Sequence, residues 1–168
     1  VRRGAPGSRG QGVPPALFRD GRELALVYHG HLHNARPLAG ELEGLGARLR
    51  GREDGEIVLW ALALWGEKAL ERLEGPFALA FWDGGAERLL CARDPLGEIP
   101  LLYARREGVF LFSTSPAPLF AYPGMDPALS PEGLCQLLGI GPARVPGSGL
   151  FSGVDELPPG CSVTLSRE

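Results

Sequence analysis

Residues 72–83, RLEGPFALAFWD, decide the fold of this chain. Gly75 and Pro76 end any helix that precedes them, because glycine disfavours a helix and proline lacks the backbone donor that a helix needs. The next seven residues, Phe77–Asp83, are apolar or aromatic up to the final tryptophan and aspartate. This composition is typical of a largely buried strand. The pair Gly84-Gly85 then predicts a turn into a second strand.

Three more strand-like runs follow, each separated from the last by a short turn that contains glycine: RLLCARD, LLYARR and VFLFSTS. Strands joined by short turns form hairpins, so we expect antiparallel sheets. Arg93, Asp94 and Gly97 are interpreted as a charge pair and a glycine that fix one of these turns. Ser130 is predicted to cap a helix in SPEGLCQLLG, and a final strand lies in GVDELPPGCSVTL.

The N-terminal half begins with the apolar run LALVY, a predicted strand, followed by the polar stretch HGHLHN. A short helix is indicated by leucines spaced three and four apart: Leu38, Leu42, Leu45 and Leu49. Asp54 is predicted to be the N-cap of a second helix that runs to Gly75. Strand, two helices, several antiparallel strands, helix and strand make an α+β protein.

Composition excludes several classes. The chain has 17 basic and 20 acidic side chains and a net charge of -3, which gives no sign of nucleic-acid binding. No apolar run approaches the roughly 18 residues of a membrane span, and the N-terminus does not resemble a secretory signal. Three scattered cysteines fit a reducing cytoplasm. Residues 1–15 are rich in Gly, Pro, Ser and Arg and are expected to be flexible, which leaves residues 16–168 as one domain.

The three histidines of the chain, His29, His31 and His33, alternate. In an extended strand they would share one face, where three imidazoles can bind zinc or copper. A turn directly after Gly30 would instead scatter the rings and leave them as polar loop residues. Metal binding is the weaker of these two interpretations.

Four segments in register resemble the N-terminal glutamine amidotransferase domain, type 2, of asparagine synthetases: LALVYHGHLHN, REDGEIVLWALALWG, RLEGPFALAFWD and CARDPLGEIPLLY. The tail VPGSGLFSGVDELPPG is similar to the segment that closes that domain. The resemblance implies the N-terminal-nucleophile hydrolase fold, an αββα four-layer sandwich with antiparallel sheets. The resemblance runs from about residue 12 to 165, so an incomplete version of that fold is expected here.

The resemblance also implies a chemistry, in which a cysteine at the start of the mature chain attacks the side-chain amide of glutamine. The oxyanion is held by an asparagine side chain and a glycine N–H. Here Gly30 matches the glycine, but His29 stands at the asparagine position. Asp54 matches the carboxylate that binds the substrate ammonium, and His31 replaces an acidic residue. No cysteine precedes Cys91 in the sequence, so we expect no glutaminase activity from the chain as written.

The expected role is that of a structural or regulatory partner of an ATP-dependent, amide-forming synthetase, as a separate protein or within a homodimer. One alternative is a truncated view of an active asparagine synthetase domain that supplies ammonia from glutamine. Another is a metal or small-ligand module built on the histidine cluster. No cofactor is expected in this domain, because ATP and magnesium would belong to a separate synthetase domain, which is not present here.

Overall fold

The computed structural model of the chain describes residues 15–140 and 149–166. The predicted flexible segment 1–15 lies outside this range except for Pro15. The strands are β1 Ala16–Arg19, β2 Arg22–Gly30, β3 Phe77–Asp83, β4 Arg88–Arg93, β5 Leu102–Arg106, β6 Val109–Ser113, β7 Asp155–Glu156 and β8 Ser162–Ser166. The α-helices are α1 Ala35–Gly44, α2 Asp54–Trp65, α3 Pro116–Phe120 and α4 Pro131–Ile140, and a 3-10 helix spans Gly66–Arg72. In this part of the chain no helix is both long and apolar enough to cross a membrane.

The strands form two sheets, and each neighbouring pair is antiparallel, as predicted. The hairpin expected between β4 and β5 was wrong, because these two strands belong to different sheets. The larger sheet has the order β1-β2-β3-β4-β8, and the smaller one has the order β6-β5-β7. The stretch that decides the fold supplies the central strand of the larger sheet, since β3 pairs with β2 on one side and β4 on the other.

Alternation along β3 divides the interior into layers. Leu79 and Phe81 point into a core shared with α1 and α2, whereas Ala78 and Ala80 belong to a second core between the two sheets. A third core lies on the outer face of the small sheet, where Leu102 and Ala104 pack with Leu119 of α3. Helices, sheet, sheet and helix therefore stack in four layers, which confirms the αββα sandwich.

Two predicted helices end earlier than expected. The helix predicted to run from Asp54 to Gly75 is α-helical only to Trp65, because Gly66 adopts a φ of 60° that interrupts it. The chain continues as the 3-10 helix to Arg72. In the first helix, α1 ends at Gly44, so Leu45 and Leu49 fall outside it.

The turn after β4 is built on a buried aspartate. Asp94 is 1% exposed, and its carboxylate accepts the backbone N–H groups of Phe77, Leu96, Glu98 and Ile99. Arg93 pairs with Glu156 at 2.8 Å rather than with Asp94, so the predicted charge pair was wrong in its partner. The predicted role of this segment in fixing the turn is confirmed. Because Asp94 holds Phe77, it also fixes the start of β3 beside the end of β2.

Candidate functional site

The candidate site lies where β2 ends. Gly30 is the last residue of that strand and pairs with Phe77, the first residue of β3. A Cβ atom on Gly30 would lie 2.2 Å from the carbonyl oxygen of Pro76 and 2.9 Å from the Cα of Phe77. Only glycine therefore allows the two backbones to approach this closely.

The backbone N–H of Gly30 faces away from β3. Leu26 donates its N–H to the carbonyl of Pro15 at 3.0 Å, so even-numbered residues of β2 direct their N–H groups toward β1. Gly30 lies four residues further along, beyond the point where the described part of that neighbour begins at Pro15. Within residues 15–140 and 149–166 this N–H therefore faces no paired strand.

Asp54 lies at the start of α2, but it does not cap that helix, so the predicted N-cap role was wrong. Glu53 precedes the helix with an extended backbone, and Asp54 is the first helical residue. The Oδ2 atom of Asp54 accepts the backbone N–H of Leu32 at 2.9 Å and lies 3.1 Å from Nδ1 of His31. Its side chain is 26% exposed, and among the described residues no hydrogen bond engages Oδ1. One carboxylate oxygen thus anchors the loop and the other is open to a ligand.

His29 points to the opposite side of β2. Its Nδ1 lies 3.1 Å from Oγ1 of Thr114, which directly follows β6 in the small sheet. The resemblance places His29 and Gly30 at the two oxyanion donors. In the structure these two residues are adjacent at the end of β2, and the hydroxyl of Thr114, from the small sheet, is hydrogen-bonded to the His29 imidazole.

The three histidines do not share a face. His31 and His33 make an edge-to-face ring contact with centroids 5.4 Å apart, whereas His29 turns toward Thr114. The alternation fails because β2 ends at Gly30. Within the described ranges no three His, Cys, Asp or Glu side chains come together in a way that could hold a metal ion.

Asn34, the last residue of HGHLHN, secures the far end of the loop. Its side-chain amide donates to the carbonyl of Arg72 at 2.8 Å, and its Oδ1 accepts the N–H of Glu74 at 3.2 Å. The backbone of the loop is bound to the same segment, since His31 donates to Pro76 and His33 donates to Glu74. The loop is therefore held firmly at both ends.

Sequence reasoning missed two residues of the site, Tyr28 and Thr114. Burial, together with the negative charge of Asp54, raises the pKa of the Tyr28 phenol, so this side chain is neutral. Its hydroxyl is buried and finds no hydrogen-bond partner in the described part of the chain. Thr114 is 85 residues from His29, and no local pattern connects them.

None of the cysteines lies beside Gly30. Cys91 is buried in β4, and burial raises the pKa of its thiol to about 12, so it is not nucleophilic at neutral pH. Cys161 accepts a backbone bond from Arg93, Arg93 pairs with Ala78, and Ala78 pairs with His29. Three strand spacings of about 4.8 Å separate Cys161 from His29, roughly 14 Å. Cys135 lies on α4, outside both sheets.

The sequence of the chain is similar to that of known glutamine amidotransferases. Residues 7–168 match the family model of the glutamine amidotransferase domain. Over 155 residues the chain is 33% identical to glutamine-hydrolyzing asparagine synthetase 3 of Bacillus subtilis, which covers 92% of this chain. Over 84 residues, 49% of the chain, it is 42% identical to a putative glutamine-hydrolyzing asparagine synthetase of Mycobacterium bovis.

Among solved structures, the glutamine phosphoribosylpyrophosphate amidotransferase of B. subtilis, complexed with ADP and GMP, superposes with a TM-score of 0.57. The match covers 64% of this chain and 25% of that one, at 21% identity, and so concerns the fold alone. The matched residues span 25% of the length of asparagine synthetase 3 of B. subtilis and 13% of the length of the M. bovis protein.

Proposed function

Because the chain belongs to the family of glutamine amidotransferase domains and is related to the asparagine synthetases, we propose that it binds glutamine. Residues 15–140 and 149–166 form the substrate-binding side of the glutamine pocket. The observation that carries this proposal is the carboxylate of Asp54. Its Oδ2 is fixed by the N–H of Leu32, while Oδ1 is open among the described residues. A carboxylate held in this way suits the ammonium group of free glutamine, which offers only donors.

Gly30 also supports a glutamine pocket, because it would contact the side-chain amide of glutamine while Asp54 binds the ammonium group. The N–H of Gly30 is directed past the described end of β1, and among the described residues no strand pairs with it there, which suits a donor to the oxygen of the side-chain amide. His29, adjacent to it, takes the place of the second oxyanion donor, because an imidazole N–H is able to donate as an amide N–H does.

We propose further that these 168 residues do not themselves hydrolyse glutamine, and that the domain acts as a structural or regulatory partner of an ATP-dependent, amide-forming synthetase. The positions of Cys91 and Cys161 support the first part, since the buried thiol of Cys91 and the distant Cys161 cannot reach an amide at Gly30. The relationship to asparagine synthetases supports the second. On this proposal ATP and magnesium are bound by the synthetase, and the three unpaired cysteines suit a cytoplasmic location.

A second candidate function is an ammonia-supplying domain whose nucleophile comes from a residue outside these 168. The geometry retained around Gly30 and Asp54 favours it, because a pocket that no longer handled glutamine would not need both a close-packed glycine and an open carboxylate oxygen. The histidine-cluster module has no such support, since His29 diverges from the other two rings.

The deciding experiment uses the natural protein and combines three measurements: the first residue of the mature chain by mass spectrometry, ammonia release from glutamine, and glutamine binding by calorimetry. Saturable binding without ammonia release supports the regulatory role. Ammonia release that a thiol-directed glutamine analogue abolishes supports the second candidate.

Two variants connect the result to the site. Asp54→Ala is expected to abolish glutamine binding, and Glu53→Ala, which alters the neighbouring exposed carboxylate, is expected to preserve it. If the natural protein neither binds nor hydrolyses glutamine, both candidate functions are wrong.

A further inference from the structure

The two histidines that flank Gly30 are held by different partners on opposite sides of β2. His29 meets Thr114 of the small sheet, and His31 meets Asp54 of α2, in each case through Nδ1 at 3.1 Å. In both rings Nε2 has no hydrogen-bond partner within the described ranges. The tautomer of each ring is therefore set by what its Nδ1 contacts.

The proton of His31 lies on Nδ1. A carboxylate can only accept hydrogen bonds, so the contact with Asp54 requires Nδ1 to be the donor. The same Oδ2 also accepts the N–H of Leu32 at 2.9 Å, which prevents the carboxylate from turning toward another partner. In the neutral ring the Nε2 atom of His31 is therefore left with a lone pair, which can accept a hydrogen bond.

The proton of His29 lies on Nε2. A threonine hydroxyl is able to donate or to accept, but an imidazole lone pair is a better acceptor than a hydroxyl oxygen. No other acceptor engages the hydroxyl of Thr114 within residues 15–140 and 149–166. The hydroxyl therefore donates to Nδ1, and Nε2 of His29 is left as an N–H donor.

We propose that His29 and His31 are fixed in opposite tautomers, His29 as a donor through Nε2 and His31 as an acceptor through Nε2. The use of these atoms rests on the proposed function. His29 then supplies the N–H for the oxygen of the glutamine amide, and Nε2 of His31 accepts a hydrogen bond from a donor group of the ligand. Thr114 is a positioning residue, because it acts through His29.

The tautomers are read directly by NMR of the natural protein labelled with 15N in its histidine rings, without glutamine and at a pH above the usual range of histidine protonation. Long-range proton–nitrogen correlations show which ring nitrogen carries the hydrogen. His29→Gln and His31→Gln assign the signals by loss. The expected spectrum has the proton on Nε2 of His29 and on Nδ1 of His31. The same tautomer in both rings, or a mixture in either, overturns the proposal.

Thr114→Val and Thr114→Ser test the positioning role with matched variants. Valine keeps the shape and removes the hydroxyl, so His29 is expected to become a mixture of tautomers while His31 is unchanged; serine is expected to restore the single tautomer. A single Nε2–H tautomer of His29 in Thr114→Val would show that Thr114 does not hold it. Because no glutamine is present, failure of the proposed function leaves this result unaffected, and a wrong tautomer leaves glutamine binding to be judged separately.

Discussion

The carboxylate of Asp54 accepts the backbone N–H of Leu32 at 2.9 Å, across 22 residues of sequence. This bond completes the pairing of the loop that follows β2, whose neighbouring N–H groups, on His31 and His33, donate to Pro76 and Glu74. The first turn of α2 thus holds the loop that carries the candidate site. The geometry of the site therefore depends on the position of α2 as well as on the loop.

Asp54→Ala is expected to destabilise the protein by about 1–3 kcal/mol, because the partly buried N–H of Leu32 loses its acceptor. Urea unfolding gives the free energy of unfolding of each variant. Glu53→Ala is the control, since its exposed side chain makes no capping bond, and a change within about 0.5 kcal/mol is expected. Equal losses of unfolding free energy in the two variants would show that Asp54 does not stabilise the loop through Leu32.

Gly30→Ala is expected to destabilise the fold by about 1–3 kcal/mol or more, because the new methyl would collide with backbone atoms of Pro76 and Phe77 that no rotamer change can move. Gly40→Ala is the opposite control: no atom lies within 4 Å of its would-be Cβ in α1. Alanine there is expected to stabilise the helix by about 0.5–1 kcal/mol. Thermal unfolding of both variants shows whether each substitution raises or lowers the stability. A stabilised Gly30→Ala protein would refute the close approach of the strands.

Asp94→Ala is expected to cost more than about 3 kcal/mol, because it orphans several backbone N–H groups around a 1% exposed carboxylate. Asp83→Ala is the comparison, since Asp83, at the end of β3, accepts two N–H groups of the following turn, from Gly85 and Ala86, besides its contact with Arg22. That turn is exposed, so water replaces the lost acceptor and the cost is expected to be about 1 kcal/mol. Chemical denaturation compares the two, and similar losses would show that burial is not the cause.

Cys91 is expected to resist thiol reagents in the folded protein, whereas the exposed Cys135 and Cys161 react. Burial raises the pKa of the Cys91 thiol to about 12, and the thiolate is the reactive form. The two exposed residues should therefore be labelled in the folded protein, and Cys91 should stay unlabelled until the fold opens. Peptide mass spectrometry of native and denatured samples measures this, and rapid native labelling of Cys91 would refute its burial.

Local patterns predicted much of the sheet. The limits of β3, Phe77–Asp83, follow from Gly75-Pro76 before it and Gly84-Gly85 after it, and the hairpin from β5 to β6 follows from its glycine turn. Ser130 caps α4 as predicted, since its Oγ accepts the N–H of Gly133 at 2.9 Å. In these places the residues that decide the structure are neighbours in sequence, so turn and capping preferences act without help from the rest of the chain.

The candidate site was predicted only in part. The resemblance of LALVYHGHLHN to a known motif pointed to His29, Gly30 and His31, and that of REDGEIVLWALALWG pointed to Asp54, but neither showed that Asp54 binds Leu32 instead of capping its helix. Local preference favours aspartate as an N-cap, and the tertiary contact with a loop that lacked an acceptor outweighed it.

The sequence by itself determined most of the strands, their antiparallel direction and the α+β class, because apolar runs and turn residues act over a few positions. It did not predict β1, Ala16–Arg19. Only the tertiary structure decided that His29 meets Thr114, that Arg93 pairs with Glu156, and that His29 and His31 diverge. His29 and Thr114 are 85 residues apart in the sequence, and Arg93 and Glu156 are 63 residues apart. Contacts of that range depend on how the two sheets and α2 pack, because side chains find these partners only after the apolar faces of the layers have been buried together.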